Sequence, residues 1–201
     1  MFVAALFEDS PVLVDVTLPD PTKDVLPSAP HRSQLEYTDT NEKHTAQNPR
    51  QTTTVTVFSG SGKHILTGTN KGWLNIIETA SCRTVYSTRL TTSIIIFIRL
   101  SPSGKELIVN SSDRIIRTLV LPDLGSSTTD YNTLRLEVEH KFQDVVNRLS
   151  WNHVAFSASG EYVTASTYMN HDIYIWERGR GSLVKILEAP HEELSVVEVC
   201  Q

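Results

Sequence analysis

Three stretches of this chain imitate motifs that carry chemistry. Gly60–His64 reads GSGKH and Ser101–Lys105 reads SPSGK, each with the glycine–lysine pair that phosphate-cradling loops use. Asp113–Val120 reads DRIIRTLV, with Arg114 and Arg117 three positions apart, a pair suited to an anion if both side chains point outward. The two loops fail on spacing. The first glycine of a phosphate loop would fall at Val57 in one and Arg99 in the other, and His64 replaces the hydroxyl residue. A phosphate loop must also open a helix, whereas residues with strand propensity follow here, so both stretches are hairpin turns.

Other chemistry is weaker still. The seven histidines show no metal-ligand spacing to cysteines or carboxylates. His171 and Asp172 are neighbours, so in a strand they point to opposite faces and do not converge. A Ser–His–Asp set assembled from distant residues exists in almost any chain and carries no weight. The expectation is a protein without catalytic activity, cofactor, metal or small-molecule substrate.

Composition narrows the classes further. Of 201 residues, 39% are hydrophobic and 20% charged, which suits a chain that buries a core. A net charge of −5 predicts no long-range attraction to nucleic acid, so any such contact must come from a local basic face. Cys82 and Cys200 form no disulfide framework and fit a reducing compartment. MFVAALFEDSP lacks the basic flank and apolar length of a signal peptide. Ile94–Ile98, the longest apolar run, is far below the roughly 20 residues that span a bilayer. No membrane partner is expected.

What must position any functional side chain is a repeat. FSGSGKHILTG (Phe58–Gly68), LSPSGKELIVN (Leu100–Asn110) and FSASGEYVTAS (Phe156–Ser166) each join two β-rich runs through a turn with glycine at the same place: Gly62, Gly104 and Gly160. About nine residues later come KGWLNIIE, DRIIRTLV and NHDIYIWE. Gly62 and Gly104 stand 42 positions apart, and Gly104 and Gly160 stand 56 apart with the polar insert Gly125–Asn132 between them. A period near 42 with several strands per unit predicts the blades of a β-propeller.

The octets resemble the D-G-x-V-R-V-W-D ending of WD repeats, with Asp113 at the aspartate, Gly72 at the glycine and Trp176-Glu177 nearest the name-giving pair. The expected fold is all-β, an incomplete WD-repeat propeller with three whole four-stranded blades and partial blades at both ends. Residues 1–27 form a partial blade, with strands Phe2–Glu8 and Val12–Leu18. Residues 28–50 form a mobile polar loop. Residues 51–91, 92–142 (with the insert, and an outer strand at Leu134–Glu139) and 143–190 form blades, and 191–201 open a further one. Gly62, Gly104, Gly160, Asp113 and Trp176 are structural in this reading. Trp151, Phe58 and Phe156 are packing residues, and Trp73 stays open between buried and exposed. The count leaves open edges, so the chain is expected to be a fragment, or to be completed by another chain.

QDVVNRLSW, FSASGEYV, HDIYIWERGRGSLVKIL and SSDRIIR make the chain resemble the propeller of retinoblastoma-binding protein five and its yeast counterpart Swd-one. That resemblance implies a non-catalytic, nuclear scaffold subunit of COMPASS-type histone H3 lysine methyltransferase complexes. Its implied partners are the SET-domain methyltransferase, the other COMPASS core subunits and nucleosomal DNA. It implies that Arg117 and Arg148 lie on the face toward DNA, with Arg114 nearby. Two further basic positions of the family hold no arginine here: Thr167–Met169, and Pro190–Glu192, where His191 stands nearest. From the residues alone, Arg114 belongs to a turn and Arg117 to the polar side of a strand, two surface arginines that need no partner. A WD-repeat adaptor in a ubiquitin ligase or vesicle coat is the alternative to the chromatin reading.

Overall fold

The computed structural model describes residues 1–6, 9–17, 19–31, 50–124, 129–146, 148–168 and 172–188. Among them are fifteen strands and no helix. Phe2–Ala4 (β1), Val12–Asp15 (β2) and Thr22–Val25 (β3) make a three-stranded antiparallel sheet. Thr53–Phe58 (β4), His64–Thr69 (β5), Trp73–Glu78 (β6) and Arg83–Arg89 (β7) form the first of three four-stranded sheets. The second holds Ile95–Leu100 (β8), Glu106–Ser111 (β9), Ile116–Val120 (β10) and Val138–Phe142 (β11). The third holds Trp151–Phe156 (β12), Tyr162–Thr167 (β13), Ile173–Glu177 (β14) and Ser182–Leu187 (β15). Each sheet is a meander in which sequence neighbours pair, as in a propeller blade.

The repeated S-x-S-G turn has one physical design. Gly62, Gly104 and Gly160 take φ of 69°, 72° and 73°, which costs glycine nothing. Their amides donate to the carbonyls of Ser59, Ser101 and Ser157, each at 2.9 Å. Each serine Oγ accepts the amide five residues on, from His64 at 3.1 Å, Glu106 at 3.2 Å and Tyr162 at 3.0 Å. The apparent phosphate loops are therefore hairpins whose polar groups are consumed internally.

The chain divides into two compact units, Met1–Ile96 with Leu124–Arg135, and Phe97–Asp123 with the chain from Leu136 on. In the first unit, Leu13, Leu26, Ile65 and Ile77 form a buried cluster, with Val3, Phe58 and Cys82 against it. In the second, Trp151 packs edge-on to Tyr174 and Trp176, both at 5.2 Å between ring centroids, and Phe142 lies 5.5 Å from Trp176. One packing rule recurs: the second strand of a blade meets the first strand of the next. β9 contacts β12, and a Cβ on Gly68 in β5 would lie 2.5 Å from the Ile95 side chain of β8. β1 contacts β4 in the same way, so β1 holds a second-strand position.

Several expectations need correction. β3 has no counterpart among the expected strands. β1 and β2 are shorter than the runs Phe2–Glu8 and Val12–Leu18, of which Phe7, Glu8 and Leu18 lie outside the described residues. The outer strand expected at Leu134–Glu139 pairs instead at Val138–Phe142. The loop from Ser28 starts anchored: the Ser28 carbonyl accepts from Gln51 Nε2 at 2.6 Å, and the His31 amide donates to Ser87 Oγ at 2.8 Å. Residues 32–49, the first half of the insert Gly125–Asn132, and the strand expected at Glu193–Val199 lie outside the described residues. Trp73 is buried, and Trp151, Phe156 and Trp176 are buried as expected of packing residues.

Candidate nucleic-acid interface

The turn between β9 and β10 is built on Asp113. Its Oδ1 accepts from Ser111 Oγ at 2.7 Å and from the Ile115 amide at 3.1 Å, which fixes the backbone on both sides of Arg114. Arg117 closes the device from within the strand. Its Nη2 meets Asp113 Oδ2 at 2.6 Å, and its Nη1 donates to Asp113 Oδ1 at 3.1 Å and Ser111 Oγ at 2.7 Å. Only 5% of Arg117 is exposed. The reading of Arg117 as a surface arginine is thus corrected: its guanidinium forks onto the turn aspartate and faces inward. Such a pair is costly to break, because removing one partner leaves the other charge without its compensation.

Arg114 is exposed and has φ of 67°, the conformation that Gly72 adopts at the corresponding place in the preceding blade, with φ of 76°. A non-glycine residue pays roughly 1–2 kcal/mol there. Arg114 is held by its amide on the Ser111 carbonyl at 3.0 Å, and by the Trp151 Nε1–H, which donates to the Arg114 carbonyl at 2.9 Å. The buried Trp151 thereby ties the next blade's first strand to this turn.

Arg148 stands on the segment between β11 and β12, also exposed and also left-handed, with φ of 50°. Its amide donates to the Asp144 carbonyl at 3.1 Å, and Asp144 Oδ1 accepts the Val146 amide at 3.0 Å. Tyr174 donates its hydroxyl to Asp144 Oδ2 at 3.3 Å. Burial first, and then the nearby Asp144 charge, push the Tyr174 phenol above its usual value, so it stays a donor.

The two turns meet at an open hollow of 450 Å³, walled by Ser112–Arg114 on one side and by Gln143–Val145 with Arg148 on the other. The structure therefore brings Arg114 and Arg148 to one surface and keeps Arg117 behind it as a brace. Among the described residues only Cys82, Arg114 and Arg148 are non-glycine with positive φ, and two of these three wall this hollow. Sequence reasoning missed Ser111, Asp144, Tyr174 and the indole N–H of Trp151. Only the four-residue spacing from Asp144 to Arg148 hinted at a tight turn. Met169 and the stretch Pro190–Glu192 with His191 lie outside the described residues. Among the described residues, no group of three or more His, Cys, Asp or Glu is arranged to hold a metal ion.

No protein-family model matches the chain. It is 46% identical over 198 residues to the Set1 complex component swd1 of Schizosaccharomyces pombe, covering 98% of this chain and 46% of that protein. It is 34% identical over 200 residues to the COMPASS component SWD1 of Saccharomyces cerevisiae, covering 96% of this chain and 43% of that one. With the retinoblastoma-binding protein 5 homolog of Drosophila melanogaster it shares 33% over 145 residues, 70% of this chain and 29% of the relative. Among solved structures, the β-propeller domain of Cps50 (Swd1) from Myceliophteria thermophila superposes with a TM-score of 0.83 at 53% identity, covering 95% of this chain and 57% of that one. The chain thus spans less than half the length of the first two relatives. The sheets described above are blades of that propeller, present here in part. Over the span it shares with these proteins, this chain belongs to the Swd1 and retinoblastoma-binding protein 5 family of WD-repeat propellers.

Proposed function

We propose that the chain serves as a non-catalytic scaffold in a COMPASS-type histone H3 lysine methyltransferase complex in the nucleus, contacting the SET-domain subunit and other core subunits. We further propose that Arg114 and Arg148 rest on nucleosomal DNA, with Arg117 supporting the turn that presents Arg114. One observation carries the DNA reading: two exposed arginines, both in a conformation that glycine would take more cheaply, wall the same hollow. Strained backbone positions cluster at ligand clamps and other functional sites, so two at one hollow support a contact role there. Asp113 is occupied by Arg117, which leaves Arg114 available for a phosphate. The scaffold reading is supported by relatives named as components of the Set1 and COMPASS complexes.

Co-expression with the Set1-complex core subunits tests the assembly. The chain is expected to co-purify through size exclusion in stoichiometric amount, and its consistent absence from the complex would reject the chromatin reading in favour of an adaptor in another assembly.

A further inference from the structure

Within the first unit lies a cavity of 840 Å³ that the DNA reading does not use. Its wall takes Leu13 and Asp15 from β2, Asp24 from β3, Glu78 and Cys82 from the end of β6 and its turn, and Tyr131. Tyr131 belongs to the segment Leu124–Arg135, which is part of the same unit and is tied to it by the Tyr131 hydroxyl and His64 Nε2, 2.8 Å apart. Leu13 and Leu124 are buried and give the cavity an apolar floor.

Its charge leans acidic. Asp15, Asp24 and Glu78 outnumber two ammoniums, those of Lys63 and of the Met1 amino group that acts on Asp15. Asp15 accepts from the Thr17 amide and hydroxyl, which favour its charged form, and Glu78 accepts from Ser81 Oγ at 2.6 Å. His64 adds no compensating cation at neutral pH: only 7% of it is exposed, burial lowers its pKa below 6.5, and its buried Nδ1 has no hydrogen-bond partner. An anionic ligand is disfavoured here. A metal ion is too, because no group of three or more His, Cys, Asp or Glu among the described residues is arranged to hold one.

We propose that this cavity receives a lysine or arginine side chain on a peptide segment of a partner subunit, with apolar neighbours of that side chain seated on Leu13 and Leu124. The proposal rests on the assembly reading above, since it takes the partner to be a fellow subunit. The charge favours a cation, the floor favours an apolar flank, and a peptide carries both.

Cys82 is a reporter already in the wall, a free thiol of intermediate exposure. With Cys200→Ser as the background, it is the chain's single thiol. Its reaction rate is measured with a trimethylammonium-ethyl and a sulfonatoethyl methanethiosulfonate, and their ratio is compared with that for glutathione. The raised pKa of Cys82 slows both reagents alike and cancels in the ratio. The cationic reagent is expected to gain about tenfold over the glutathione ratio, as a focused negative field requires, and Asp24→Asn with Glu78→Gln is expected to remove most of the gain. In the co-purified complex Cys82 is expected to become protected by about tenfold or more, and Asp24→Lys to restore its reactivity. A ratio equal to that of glutathione, or a Cys82 as reactive in the assembled complex as in the free chain, overturns the proposal. A chain that fails to assemble counts against the assembly reading, and the reagent ratio then still decides the cavity's character.

Discussion

The turn after β5 and the turn after β9 follow one backbone path with two different fillings. In the first, Thr69 Oγ1 accepts the amides of Lys71 and Trp73 at 3.3 and 3.0 Å, and Gly72 occupies the left-handed position. A Cβ on Gly72 would lie 2.0 Å from the Thr91 carbonyl oxygen, so no side chain fits. In the second, Ser111 stands at the threonine's position, Asp113 at that of Lys71 accepts the Ile115 amide, Arg117 braces it, and Arg114 occupies the left-handed position with its side chain in solvent. One turn is closed by its neighbours; the other is stiffened from inside and opened outward. The difference separates a turn closed by its own packing from one that leaves an arginine side chain exposed, where the proposed DNA contact lies.

Four substitutions and one titration break or sharpen this contrast. Gly72→Ala places a Cβ against a backbone carbonyl in a conformation already costing about 1–2 kcal/mol, so it is expected to destabilise by about 3 kcal/mol in urea unfolding. Arg117→Met leaves Asp113 without its forked partner, and a loss of about 2–3 kcal/mol is expected by the same measurement. Trp151→Phe keeps most of the packing but removes the indole donor to the Arg114 carbonyl, for about 1–2 kcal/mol. Arg114→Gly should leave stability within about 1 kcal/mol of the parent, because relief of the left-handed strain offsets the entropy of glycine, while DNA binding weakens.

The smallest effect concerns pH. Burial holds the folded pKa of His64 below 6.5, so the folded state takes up its proton less readily than the unfolded chain. Its contribution to stability is present in full above about pH 6.5 and is lost as pH falls toward the depressed folded value. Urea midpoints measured from pH 7.5 to 5 should show this decline, and His64→Gln should flatten it.

Most of the blade architecture was legible because two signals coincide, alternation along strands and a serine–glycine hairpin at a steady period. β3 escaped because TKDV has no apolar alternation and all four of its residues are exposed. β11 was displaced because LRLEVE looks more strand-like than VEHKF, although only the latter pairs along β10. The candidate site was half legible. Resemblance selected Arg114, Arg117 and Arg148, but alternation along a strand does not reveal that a turn aspartate folds back over Arg117. The left-handed backbone of Arg114 and Arg148 has no signature in residue type, since glycine would be the expected occupant. Nor does sequence indicate that Trp151, distant in the chain, donates to the Arg114 carbonyl.

The division of labour between the arginines is tested most directly by the salt dependence of nucleosome binding by the assembled complex. Replacing Arg114 and Arg148 with alanine together should reduce the slope of log affinity against log salt by about two, one for each phosphate no longer neutralised. Arg117→Lys, measured where it remains folded, should keep the parental slope. A double variant with the parental slope, or an Arg117→Lys variant whose slope drops as far as a phosphate-binding arginine's removal would take it, would contradict the account.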